Sequence, residues 1–282
     1  MSQPRVLIID GNRAAVREQQ AAAGGTPTGE GYVRALQRLA PVNCDIVRPA
    51  DAAVSLPAGV ALGDYDGVAI TGSALNIYDG GESIERQIEL MRAVFDSGVP
   101  CFGSCWGMQL AVTAAGGRVR ANPLGREFGF ARRIALNAAG RTHEMFRGKP
   151  AVFEAITVHL DAIETLPPGA TALADSDMGL QAIEMRAGSG VFWGVQYHPE
   201  YSYADIAATA KRYAPVLQGE GLFADRAELD AWVNDALALD RAPHDARLCW
   251  RHALGPAMQD AAVKMAELRN WLHVQVLPRH TA

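Results

Sequence analysis

Over residues 5–200 the chain alternates short, unbroken apolar runs with longer stretches in which apolar residues return every three or four positions. Val6 to Ile9 is the first such run. An unbroken run bounded by turn residues reads as a strand buried on both faces. Asp10-Gly11-Asn12 then turns the chain at its carboxyl end. A helical stretch interrupted by Gly24, Gly25, Gly29 and Gly31 leads through Tyr32 to Leu39, and Cys44–Val47 and Tyr65–Ile70 follow as strands. Ser83 to Ser97 carries Ile84, Ile88, Met91 and Phe95 on one helical face, with Gly98 placed as a C-cap. Val99–Phe102 is the next strand. After Gly116-Gly117 come β-like pieces at Phe128–Leu136, Ala151–Val158, Leu180–Met185 and Val191–Gln196.

Strands alternating with helices imply an α/β fold: an open, mostly parallel sheet with helices on both faces. In such sheets, sites lie outside the carboxyl ends of the strands. From Ala204 the pattern changes to helical spacing, through Leu229, Trp232, Val233, Ala236 and Leu237, then Met258, Ala262, Met265, Leu268, Trp271 and Leu272. Only Val274-Gln275-Val276 there has the look of a strand. The reading divides the chain into a domain over 1–218 and a helical C-terminal extension over 219–282, the latter small for a free-standing domain.

Composition narrows the class. A net charge of −5 with no basic tract speaks against nucleic-acid binding. No stretch approaches the ~20 apolar residues of a membrane span, and Val6–Ile9 is too short for a secretory leader. Cys44, Cys101, Cys105 and Cys249 are too few and too scattered for a disulfide framework. A cytoplasmic location is therefore expected. No metal-ligand spacing and no phosphate loop of the G-x-x-x-x-G-K type occurs, so no cofactor is expected.

The chemistry concentrates in two places. Gly103-Ser104-Cys105-Trp106-Gly107 has the G-x-nucleophile-x-G form of a strand-to-helix elbow, which exposes a strained residue at a helix N-terminus. There the helix dipole favours a thiolate. The amide of Trp106 can face an oxyanion, and the backbone at Gly72 can approach a substrate closely to supply a second donor. Gln109 lies one helical turn beyond Cys105. Far downstream, His198-Pro199-Glu200 places an imidazole and a carboxylate two residues apart, on one side of an extended segment. His198 would serve as base and then acid to Cys105, with Glu200 fixing its tautomer. His159 and Asp161 show the same i, i+2 spacing, as a site pair or as an exposed loop pair.

These residues resemble class I (triad-type) glutamine amidotransferases, and among them stand-alone relatives of the glutaminase domain of GMP synthase. The resemblance rests on Thr71-Gly72-Ser73, Gly103 to Gln109, Arg126 to Gly129, Val158 to Asp161 and Gly194 to Glu200. It implies a flavodoxin-like sheet and a catalytic triad of Cys105, His198 and Glu200. It also implies an oxyanion hole at Gly72 and Trp106, and contacts to bound glutamine from Gln109, Val158 and His159. Arg126-Glu127 resembles the family's structural arginine–glutamate site. The chain lacks the ATP-pyrophosphatase loop of GMP synthase, and Thr71-Gly72-Ser73 stands where a double glycine is commoner.

Three functions remain open on the sequence. The first is a glutaminase supplying ammonia to a separate synthase subunit, with the extension as a docking or dimerisation element. The second is a γ-glutamyl hydrolase acting on a γ-glutamyl amide or peptide. The third is a non-catalytic regulatory protein of the same fold. The oligomeric state stays open, a homo-oligomer included.

Overall fold

The computed structural model describes residues 3–281. Its strands are β1 (Arg5–Ile9), β2 (Asn43–Val47), β3 (Gly67–Ile70), β4 (Cys101–Ser104), β5 (Arg118–Ala121) and β6 (Glu127–Leu136). They continue with β7 (Val152–His159), β8 (Asp161–Thr165), β9 (Ala170–Ser176), β10 (Gly179–Ala187) and β11 (Gly190–Val195). One nine-stranded sheet runs in the order β2-β1-β3-β4-β11-β10-β9-β6-β7, while β5 and β8 form a separate ribbon. Neighbours from β2 through β4 to β11 are parallel, and those from β11 to β7 are antiparallel.

The parallel half explains the unbroken apolar runs. In β1, Val6 and Ile8 enter one core cluster with Tyr32, Leu36 and Phe102, while Leu7 and Ile9 enter another with Val94, Phe95 and Met108. Both faces are therefore covered, as a parallel sheet requires. After β1 comes α1 (Ala14–Ala22), and the covering helices are α2 (Thr28–Leu39), α3 (Glu82–Ser97) and α4 (Trp106–Ala114). Gly98 ends α3 in the left-handed region, at φ 71°, as the C-cap reading expects. A short helix, α5 (Ala138–Thr142), follows β6.

After β11 the chain is helical: α6 (Tyr203–Gly219), α7 (Arg226–Arg241), α8 (Ala246–His252), α9 (Pro256–Gln259), α10 (Ala261–Lys264), α11 (Ala266–Trp271) and α12 (Leu277–Thr281). Ser202 and Asp205 close α6 with a reciprocal capping box. The last helices pack into the sheet. Trp271 and Leu272 are fully buried in the cluster that holds β1 and α2, and the Trp271 ring lies 6.0 Å from that of Phe102.

One expectation fails here. Val274–Val276 forms no strand, because Leu272–Val276 is a single wide helical turn between α11 and α12. Leu272 and Val276, four residues apart, are both buried. That spacing puts both on the core-facing side of the turn. No helix among the described residues is long and apolar enough to cross a membrane.

Candidate active site

β4 delivers Cys105 to the carboxyl edge of the sheet, and the turn into α4 holds it at φ 53°, ψ −106°. A positive φ is costly for a residue with a side chain, and it persists only where the surroundings enforce it. They do so here: the Cys105 N–H donates to the Val195 carbonyl at 2.8 Å, tying the elbow to β11. A β-carbon at Gly103 would sit 2.7 Å from the Gly107 backbone, so the strand and the helix approach as only glycine allows. The Cys105 thiol is 3.5 Å from the Val158 carbonyl, at the end of β7.

His198 follows β11 and is held from the other side, its N–H donating to the Ile156 carbonyl at 2.8 Å. Its Nδ1 lies 2.8 Å from Glu200 Oε1, and both side chains are almost wholly buried. The second carboxylate oxygen of Glu200 accepts from the Ser104 hydroxyl at 2.9 Å. Because Ser104 spends its one proton there, the Tyr32 hydroxyl must donate to Ser104. A chain of hydrogen bonds thus runs from α2 to the imidazole.

His198 Nε2 is the loose end. It is buried and takes no full hydrogen bond among the described residues. Burial alone would lower the pKa of the ring. The adjacent Glu200 carboxylate and the Cys105 thiol outweigh that and push it up from 6.5 to about 10. The Tyr201 ring stacks on the imidazole at 4.1 Å. On the opposite side, a β-carbon at Gly72 would lie 2.6 Å from His198 Cε1, so glycine lets that loop close over the ring.

Cys105 and His198 open into one cleft of about 150 Å³, whose other walls include Asn12, Ser73, Asn76, Gln109, Arg126, Val158, Asp161, Tyr201, Arg212 and Tyr213. Gln109 and Val158 both line this cleft. His159 also lines it, but its ring nitrogens are engaged, Nε2 with Glu127 Oε2 at 2.8 Å and Nδ1 with the Asp161 carbonyl at 2.9 Å. Its ring therefore braces β7 against β6. The exposed-loop alternative for His159 and Asp161 is ruled out, since both are buried. Trp106 heads α4, and its indole N–H donates to Gln87 Oε1 at 2.8 Å, leaving only its backbone amide for the elbow.

Arg126 and Glu127 hold separate partners: Arg126 is bidentate to Glu220, at 2.8 and 3.1 Å, and Glu127 pairs with His159. Asn12, Asn76, Tyr201, Arg212 and Tyr213 escaped the sequence reading. Asn12 stands in the turn after β1, where the strand-end rule could have flagged it. Arg212 and Tyr213 sit in a helix with no motif to mark them. Among the described residues, no three metal-ligating side chains come together.

Comparison with known proteins adds to this geometry. Residues 30–208 match the model of the family described as glutamine amidotransferase class-I. A gamma-glutamyl-L-1-hydroxyisopropylamide hydrolase from a Pseudomonas species is 34% identical over 287 aligned positions, which cover 99% of this chain and 95% of that protein. A glutamine-hydrolysing GMP synthase from Streptomyces coelicolor is 31% identical over 137 positions, 49% of this chain and 24% of that much longer protein. Among solved structures, a glutamine amidotransferase from Thermotoga maritima superposes with a TM-score of 0.63 at 19% identity, covering 98% of this chain and all of that one. One from Methylobacillus flagellatus gives 0.56 at 22% identity, over 76% of each chain.

Proposed function

The chain belongs to the class-I glutamine amidotransferase family and is a hydrolase of that family, and from that premise we propose that it cleaves γ-glutamyl amides whose nitrogen carries an organic substituent. Cys105 gives its thiol proton to His198 Nε2 as Sγ attacks the γ-carbonyl carbon, and the backbone amides of Trp106 and Gly72 receive the oxyanion. His198 Nε2 passes its proton to the departing nitrogen as the C–N bond breaks, which leaves a γ-glutamyl thioester on Cys105. Water then attacks the thioester, giving one proton to His198. The C–S bond breaks and glutamate leaves. Glu200 keeps the imidazole in the tautomer that faces Cys105. Gln109 and Val158, which line the cleft, would contact the glutamyl half.

The observation that carries the choice of substrate is the extent of the likeness to the γ-glutamyl amide hydrolase. It takes in the helices after residue 219 along with the cleft. The likeness to GMP synthase covers about half of the chain and supports the shared thioester chemistry. The comparisons therefore favour the γ-glutamyl hydrolase over the synthase-coupled glutaminase that the sequence reading put first.

Competing turnover decides it. The purified chain should release amine from a γ-glutamyl alkylamide with a kcat/KM about tenfold or more above that for glutamine. A preference for glutamine, or activity that appears only with an added synthase, would restore the glutaminase reading.

A further inference from the structure

The amine half of the substrate must lie where His198 can protonate it. His198 Nε2 faces the cleft, so the leaving nitrogen sits beside it and its substituent runs along the residues that adjoin the ring. Tyr201 stacks on that ring. Arg212 lines the same cleft as Tyr201 and His198. Asn12 borders this side too, its amide 3.3 Å from the Gly72 carbonyl and hence next to the loop that closes over His198.

Two guanidinium groups flank the Tyr213 ring, Arg126 at 5.3 Å and Arg212 at 4.3 Å. Their charges are not equivalent. Arg126 is neutralised by the two oxygens of Glu220. Arg212 has no carboxylate within ion-pair distance among the described residues, and its one polar contact is a 3.4 Å approach to the neutral Gln20 amide oxygen. Gln20 is buried and also accepts from Thr209, so α1 and α6 hold this arginine against the cleft as a wall. Asn12, Arg212 and Tyr213 all fall outside the span 30–208 that matches the family model, whereas Gln109, Arg126, Val158 and Asp161 fall within it. Tyr201 also falls within it, so the side that adjoins His198 combines positions inside the family match with positions outside it.

We infer that Arg212 binds a carboxylate on the amine half of the substrate, which makes γ-glutamyl amino acids, rather than γ-glutamyl alkylamides, the preferred class. A guanidinium–carboxylate contact is charge-assisted and, in a cleft partly shielded from water, discriminates against an uncharged analogue of the same length. The inference rests on the γ-glutamyl hydrolase reading above and specifies its leaving group.

The test measures kcat/KM for γ-glutamylglycine and for γ-glutamylpropylamide, a neutral analogue of matched size, in wild-type chain and in Arg212→Gln and Arg212→Lys. Wild type should favour the acid by about tenfold or more. Arg212→Gln should bring the ratio close to one, and Arg212→Lys should restore part of it. A wild-type ratio near one would overturn the inference, as would equal losses on both substrates, because the arginine would then serve the glutamyl half that they share. Turnover of neither compound, with glutamine hydrolysed, would overturn the underlying γ-glutamyl hydrolase reading and this inference with it.

Discussion

Two buried ion pairs engage successive residues of the segment that follows β11, and they do opposite things. Tyr197 points into the pair of Lys149 and Glu267, while His198, the next residue, forms the pair with Glu200. Both pairs are almost wholly withdrawn from solvent. In the first, every charge is answered. Lys149 Nζ lies 2.7 and 2.9 Å from the two Glu267 oxygens, reaches the Lys264 carbonyl at 3.2 Å and lies over the Phe153 ring at 4.6 Å. The Tyr197 hydroxyl donates to Glu267 as well. In the second, Glu200 is fully engaged but His198 Nε2 is left over, and it faces a cleft with a thiol. A buried charge pair with all its partners is mortar, and one that keeps a free proton site at a cleft can do chemistry.

The largest effects should separate the two pairs by what they damage. His198→Ala should lower kcat by about 10⁴-fold or more while the unfolding midpoint moves little, as steady-state kinetics and urea titration on the same preparation would read. A loss of activity that merely tracked unfolding would erase the contrast. Glu267→Ala should do the reverse, stranding Lys149 as a buried unpaired cation at a stability cost of about 3–5 kcal/mol. The double change Lys149→Met with Glu267→Leu should recover most of that loss, since two apolar side chains leave no charge to satisfy.

A smaller effect tests the electrostatics of the His198–Glu200 pair. Glu200 holds the His198 pKa up to about 10. A raised imidazole pKa stabilises the fold fully below its ordinary value of 6.5, and that contribution is lost as pH rises through about 10. The general-acid form should fade over the same upper range, giving kcat an alkaline limb near 10. Glu200→Gln should lower kcat by about 10–100-fold and bring the limb down toward the ordinary imidazole range. An unmoved limb would mean that Glu200 does not set it. The smallest effect is Lys264→Met, which removes the donor to the Tyr201 carbonyl and should cost about 1 kcal/mol in unfolding free energy.

The contrast also shows what a sequence can disclose. The elbow at Cys105 and the His198-Pro199-Glu200 run are local in the chain, and local constraints of glycine and spacing mark them. The parallel strands are equally plain, because burial on both faces writes itself as unbroken apolar residues. Lys149 and Glu267 are far apart in sequence, and nothing near either one announces a partner. The same holds for Arg126 and Glu220, whose meeting depends on how α6 ends, and for Arg212, which gains its meaning from the fold that sets α6 beside the cleft. Val274–Val276 misled for a related reason: three residues are too few to tell alternation from one turn of helix when the buried partners are Leu272 and Val276.

The central claim is that Cys105 carries the γ-glutamyl group, and rapid-quench mass spectrometry of the intact chain tests it most directly. On mixing with a γ-glutamyl amide, the wild-type protein should gain the mass of one glutamyl residue on Cys105 in step with the first release of amine, and Cys105→Ala should gain nothing and release none. Amine release with no adduct on Cys105, or an adduct that persists in Cys105→Ala, would contradict the account.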